Sequence, residues 1–256
     1  MTSATASKEK VRKQSPKKAR GQWPRQRAEQ QRSIATRLLI LKAAIVEFAE
    51  KGFEAASIRG IAERIELKHP LITYHFPSKD ALWRASAEYA FRQIRDEWDK
   101  VAPEALGISA IERVREEYRT LFRYTVAFPE FHRFMRQETY TDNPRLKWVA
   151  QNVLKPLLDR LLPQIRAAQR DGLLPRVEPI VFHYMMVSLT TTLSEFGPEM
   201  RVTSGLRSDD PKIADAYWRL VEEIVFRDLV NAPTGLSRTT TPAPKRGVAE
   251  QKSREH

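Results

Sequence analysis

The sequence predicts an all-α fold, with a short helix-turn-helix unit near the N-terminus and a larger helical body behind it. Three observations carry that prediction. From residue 33 to residue 230 apolar residues recur at steps of three and four, the period of a helix with one buried face. No segment shows the strict alternation of a half-buried strand. Caps and prolines cut the chain into helices, and two very short ones lie side by side between residues 57 and 76.

The first ordered helix is expected over residues 33–51. Ile34, Leu38, Leu41, Ile45 and Phe48 form its apolar stripe, Ala44 and Ala49 allow close packing, and Gly52 stops it. Ser57 is a good N-cap for the next helix, where Ile58, Ile61, Ala62 and Ile65 share one face. Residues 66–69 offer only Leu67 as an apolar side chain, which leaves room for a turn. Pro70 fits the first turn of a second short helix over residues 71–75. Phe76-Pro77 ends it, because the residue before a proline is pushed out of helical geometry. Ser78 then caps a long helix from Lys79 to about Lys100, and Pro103 and Gly107 break the chain after it.

Beyond residue 109 the pattern stays helical. Ile111, Val114, Tyr118, Leu121, Phe122 and Thr125 mark one helix, and Pro129 opens another with Phe131, Phe134 and Met135 inward. Asn143-Pro144 starts a helix that carries Pro156 and Pro163 and ends at Asp171-Gly172. Each proline removes a backbone bond and costs about 3 kcal/mol in a helix interior, so a break or kinks are expected. Two apolar helices follow, over residues 178–196 and 211–230. Residues 1–32 and 231–256 are too poor in apolar side chains to offset the entropy of ordering, so both ends are expected to be disordered.

Composition excludes several functions. Cysteine is absent, which removes disulfides, thiolate zinc sites and cysteine nucleophiles. The histidines are His69, His75, His132, His183 and His256, and none forms an HExxH pair. No glycine-rich phosphate loop is present, and the carboxylates fall on charged helix faces. No catalytic set, cofactor or metal is therefore expected, and His132 and His183 read as core histidines beside aromatic residues. No apolar run approaches the roughly 20 residues that span a bilayer, and the basic N-terminus lacks the apolar core of a signal peptide. A cytoplasmic protein without a membrane partner is expected. The net charge of +12 favours a polyanion. The basic arm over residues 1–32 fits either phosphate contact or simple solubility.

Two helices joined by a turn of three or four residues can place the second in the DNA major groove. The set Gly52-Phe53, Ser57, Ile61-Ala62-Glu63, Pro70-Leu71-Ile72, Tyr74-His75-Phe76 and Ser78-Lys79 resembles the DNA-binding domain of the TetR family of bacterial repressors, over about residues 33–85. Two positions depart from the family pattern. Glu66 stands where the turn usually has Gly, so either a non-Gly residue adopts positive φ or the turn differs. Lys68 replaces the usual small hydroxyl cap of the recognition helix.

Under this resemblance residues 33–80 bind double-stranded operator DNA, and residues 81–230 dimerise and bind an effector. Thr73 is expected to read base edges, and Tyr74 and Lys79 to hold phosphates. Arg59, Lys68, His69 and His75 are further candidate contacts, with a solvated surface role as the alternative for each, while Phe76 is expected in the core. The resemblance implies a homodimer in which the last two helices pair with their copies, through Leu189, Leu193, Phe196, Tyr217, Leu220 and Ile224. It also implies release from DNA by an apolar small molecule. Aromatic and methionine residues are in surplus on the inner faces of the body, and either pack the core or line a pocket. They are Tyr118, Phe122, Phe131, Phe134, Met135, Trp148, Tyr184 and Met185, and the pocket is expected beside the Pro156–Pro163 segment. Two other classes fit less well: a helical enzyme or ligand carrier with an attached DNA-binding domain, and a basic peripheral membrane protein.

Overall fold

Half of the α-helices start where a side chain caps them. The Ser57 hydroxyl accepts from the Gly60 N–H and opens α2 (Ile58–Arg64). Ser78 accepts from the Ala81 N–H and opens α4 (Lys79–Val101). Ser109 and Glu112 form a reciprocal capping box at the start of α5 (Ala110–Ala127). Asn143 and Asp210 cap α7 (Pro144–Val149) and α10 (Pro211–Val225). The other helices are α1 (Gln22–Ala55), α3 (His69–His75), α6 (Pro129–Arg136), α8 (Lys155–Arg170) and α9 (Pro179–Ser204). The computed structural model describes residues 22–103, 107–138 and 142–227, and these residues contain helices and no strand. None of these helices is long and apolar enough to cross a membrane.

Three boundaries differ from expectation. Helix α1 begins at Gln22, not at residue 33, so part of the expected disordered arm is helical. Residues 22–32 are mostly Gln, Arg, Ala and Glu, good helix formers that extend a helix already nucleated by its packed half. The rest of the arm and the C-terminal tail lie outside the described residues. Helix α9 runs through Gly197-Pro198 to Ser204 and stops at Gly205, which adopts a left-handed φ of 74°. Gly197 lies against Ser208, too close for a Cβ. The expected break before Pro156 takes the form of a π turn over Ala150–Leu154, where the Lys155 N–H reaches back to the Ala150 carbonyl. Val149, Val153, Leu157, Leu161 and Ile165 are all buried at steps of four. An α-helix would rotate such a row off its face, and the wider π turn brings it back. Pro163 is accommodated inside α8.

One apolar core runs from Ile40 and Phe48 of α1, through Trp83 of α4, to Phe182 of α9 and Trp218 of α10. The N-terminal helices dock on the body through Phe134, whose ring centre is 6.2 Å from that of Phe48 and 5.7 Å from that of Trp83. Arg145 stacks its guanidinium 3.9 Å above the Phe53 ring and pairs with Glu138 at 3.0 Å.

Candidate nucleic-acid interface and ligand cavity

Helix α3 is held from inside by Ile72, and its C-cap Phe76 is buried. That orientation turns Thr73 and Tyr74 to solvent, and Tyr74 is 79% exposed. Its ring meets that of His75 edge-on, and its phenol lies on the solvent side of α3. The Thr73 hydroxyl donates to the Pro70 carbonyl at 3.0 Å, which leaves its lone pairs and methyl group outward. Lys68 and His69 are exposed at the start of α3, where Lys68 makes no side-chain cap bond. His75 is half-buried, its ring between those of Tyr74 and Phe76. Arg59 projects from α2 into solvent and pairs with Glu63 at 3.0 Å. The turn before α3 contains Glu66 at a φ of 54°, the only positive φ of a non-glycine among the described residues.

Lys79 does not present its charge to solvent. Its ammonium donates to the carbonyls of Phe53, Glu54 and Ala56, at 2.8, 3.2 and 3.2 Å. The end of α1 leaves carbonyls without helical donors, and this lysine satisfies them. The expectation of a phosphate contact at Lys79 is therefore corrected.

Sequence reasoning missed the frame that holds these helices. Glu47 is buried and accepts from Lys51 at 2.8 Å and Arg64 at 2.9 Å, and Arg64 also pairs with Glu50. Burial pushes the Glu47 carboxyl up, but the hydrogen bonds from Lys51 and Arg64 outweigh it and hold the group below its usual range. Arg37 donates to the His75 carbonyl and lies 4.3 Å over the Phe76 ring, tying α1 to the end of α3. A Glu and a Lys four apart look like surface residues in the sequence, and only the fold brings Arg64 to them.

The body holds a partly open cavity of about 160 Å³ between α4, α5, α6, α8 and α9. Its floor is Phe91, Ile94 and Trp98 of α4 with Leu121 of α5. Leu154, Leu157, Leu158 and Leu161 line a side, from the π turn into α8. Phe131, His132, Met135 and Arg136 come from α6, and His183, Tyr184, Val187 and Thr191 from α9. Tyr118 places its hydroxyl 2.9 Å from Nδ1 of His183. Burial lowers the His183 imidazole to about 4 and also lowers that of His132, against the pull of Glu195.

Residues 40–85, from the buried half of α1 into α4, match the family model described as bacterial regulatory proteins, tetR family. Over these residues the chain resembles the DNA-binding region of TetR-family transcriptional regulators. It is 25% identical over 198 residues to the HTH-type transcriptional regulator RutR of Escherichia coli (strain K12), covering 76% of this chain and 91% of that protein. A TetR family transcription regulator from Marinobacter aquaeolei VT8 superposes with a TM-score of 0.60 at 22% identity, over 77% of this chain and 98% of the other. The ketosteroid transcriptional regulator KstR2 of Mycobacterium tuberculosis gives a TM-score of 0.57 at 15% identity, over 75% and 95%. At these identities the structural likeness is one of fold.

The expected pocket residues separate into four groups. Phe131, Met135 and Tyr184 line the cavity. Tyr118 and Phe122 are core residues, the latter stacked on Tyr217 and Trp218. Phe134 and Trp148 serve the docking of the N-terminal helices around Trp83, and Met185 is exposed. These five are corrected as lining residues, because the helical stripe marks which side is inward but not which neighbour it meets. Pro156 and Pro163 face solvent, while Leu154, Leu157, Leu158 and Leu161 face the cavity. The expected interface residues also divide. Phe196, Leu220 and Ile224 are exposed, Ile224 at 64%. Leu193 is only 6% exposed and Leu189 is packed against the core. Tyr217 turns inward and donates to the Leu189 carbonyl at 2.7 Å. Leu193 is thus taken up by the core of the single chain, whereas Leu189 and Tyr217 are half-buried there.

Proposed function

We propose that this chain is a cytoplasmic, homodimeric repressor of the TetR family that leaves its operator when a small apolar molecule enters the cavity. One observation carries the reading: α6 faces two ways. Phe131, His132, Met135 and Arg136 meet the cavity. On its other side Phe134 packs against Phe48, and Gln137, just past its end, donates to the Ala49 carbonyl at 3.3 Å. A ligand that needs more room than the empty cavity offers displaces α6, and α1 carries that displacement to α3. Two half-sites one helical turn apart need recognition helices about 34–36 Å apart, so a changed spacing weakens both contacts together.

Exposed apolar residues on the last two helices support the dimer. Val181, Met185 and Phe196 on α9 and Leu220 and Ile224 on α10 are exposed together. For the DNA face we retain Thr73, Tyr74, Lys68, His69, Arg59 and His75, all on α2, α3 or the turn between them. No catalytic role is part of this reading, and the regulators it resembles support that.

The test is enrichment of genomic fragments from the host with the full-length protein, followed by titration of the selected fragment against fractions of a small-molecule extract. Recovery of a palindromic sequence, released by an apolar fraction, is expected. Enrichment without sequence preference, or a complex indifferent to every fraction, would overturn operator binding or effector release respectively.

A further inference from the structure

The cavity wall carries an oriented hydrogen-bond donor with no acceptor in the protein. Tyr118 is fully buried, and its hydroxyl has one partner, Nδ1 of His183 at 2.9 Å. If that nitrogen carried the proton, the phenol hydrogen would have nowhere to go inside the core, at the full desolvation penalty of an unmade bond. The phenol therefore donates, Nδ1 accepts, and the ring proton of neutral His183 sits on Nε2. Burial keeps the ring neutral. The surface around it is mostly apolar, and its Nε2 makes no hydrogen bond within the protein. A second imidazole lines the same cavity: His132 is buried, and its Nε2 has no hydrogen-bond partner, with Glu195 3.6 Å away. At the mouth Arg136 is paired with Glu195 at 3.3 Å, so no uncompensated positive charge faces inward.

We infer that the ligand of this cavity is an uncharged molecule of about one substituted ring, whose carbonyl-type oxygen accepts from Nε2–H of His183. Size follows from volume: a dry cavity of about 150 Å³ takes benzene, so a ring with a substituent fills this one and presses on α6. Neutrality follows from the walls, since an ionised group loses its hydration there and gains no counter-charge. The acceptor follows from the tautomer that Tyr118 fixes. This inference rests on the cavity being the effector site, and the test separates the two.

Acetophenone, ethylbenzene and benzoate share one shape and differ in the group offered: an acceptor, none, and a charge. Calorimetric titration of the full-length protein at neutral pH should show acetophenone binding about fivefold more tightly than ethylbenzene, the ratio for one net hydrogen bond. Benzoate should bind weakest. In His183→Phe the preference of acetophenone over ethylbenzene should vanish while ethylbenzene still binds. If that variant does not fold, Tyr118→Phe provides the test, because it frees the tautomer and should shrink the same ratio. Equal binding of acetophenone and ethylbenzene, or tightest binding of benzoate, would overturn the inference and leave the cavity as a ligand site. Binding of none of the three would overturn the cavity reading itself.

Discussion

The ammonium of Lys79 lies 2.8 Å from the carbonyl oxygen of Phe53 and 4.5 Å from the centre of that residue's ring. Together with the bonds to Glu54 and Ala56, it closes the end of α1 against the start of α4. Lys79→Ala should therefore act on stability, at a cost of roughly 1–3 kcal/mol from lost charge-assisted bonds. Thermal unfolding should show a lower Tm. The salt dependence of DNA binding by the folded variant should be unchanged, because no phosphate contact is lost. An unmoved Tm with a salt slope shallower by about 0.9 would mean that the lysine leaves the carbonyls for a phosphate.

That lysine also shows what the sequence can and cannot convey. The caps Ser57, Ser78, Ser109 and Asn143 act through bonds to residues two or three positions away, so local spacing was enough to place their helices. The short α3, with Pro70 in its first turn, was legible for the same reason. Lys79 reaches back more than twenty positions, and Arg64 reaches Glu47 across a similar gap, so neither role has a local signature. The stripes separate inward from outward, yet Phe134, Trp148 and Phe131 all read alike as inward aromatics. Only the crossing of the helices decides that the first two face Trp83 and the third the cavity. His183 was read as a core histidine. Its bond to Tyr118, 65 positions away, makes it a polar point on the cavity wall.

On the DNA face the two neighbouring residues of α3 should behave differently. Thr73 can offer its oxygen and methyl to a base edge, whereas the long Tyr74 side chain reaches toward the backbone. Thr73→Ala should change the preferred base at one position in each half-site, by roughly 1 kcal/mol. Tyr74→Phe should weaken all sequences to a similar extent, by about 0.5–1.5 kcal/mol. Binding-site selection with each variant decides the matter. A shifted preference in Tyr74→Phe and none in Thr73→Ala would exchange the two roles.

The exposed stripe on α10 predicts a dimer sensitive to charge. Leu220→Glu combined with Ile224→Glu places two carboxylates on a surface that is solvated in the monomer and buried in the pair. The variant should fold with little change in helicity and sediment as a monomer, with operator affinity falling as one half-site is lost. Leu193→Glu, by contrast, should unfold the body, because that residue is in the core. A Leu220/Ile224 variant that still sediments as a dimer would place the interface elsewhere.

The buried histidines give stability a defined dependence on acidity. His183 titrates near 4 in the folded chain against an ordinary value of 6.5, so the unfolded state takes up a proton first as pH falls. Stability from this residue is complete above about 6.5 and is lost progressively down to about 4, by up to roughly 3 kcal/mol. His132 acts in the same direction, because burial lowers it too. Glu117 opposes both: burial raises its carboxyl in spite of Arg160, so the folded state takes up that proton first and acidification favours folding there. The total curve mixes these signs, and a difference isolates His183. Urea unfolding of the wild type and of His183→Phe should be compared at half-unit intervals between pH 7.5 and pH 4. The wild type should lose more stability across that window, and the gap between the curves should change most between pH 6.5 and pH 4. Parallel curves would mean that His183 takes up its proton at the same pH in the folded and unfolded chains, so that the folded imidazole is protonated below about 6.5. The Tyr118 oxygen would then accept from Nδ1–H, with its own hydrogen left without a partner in the core.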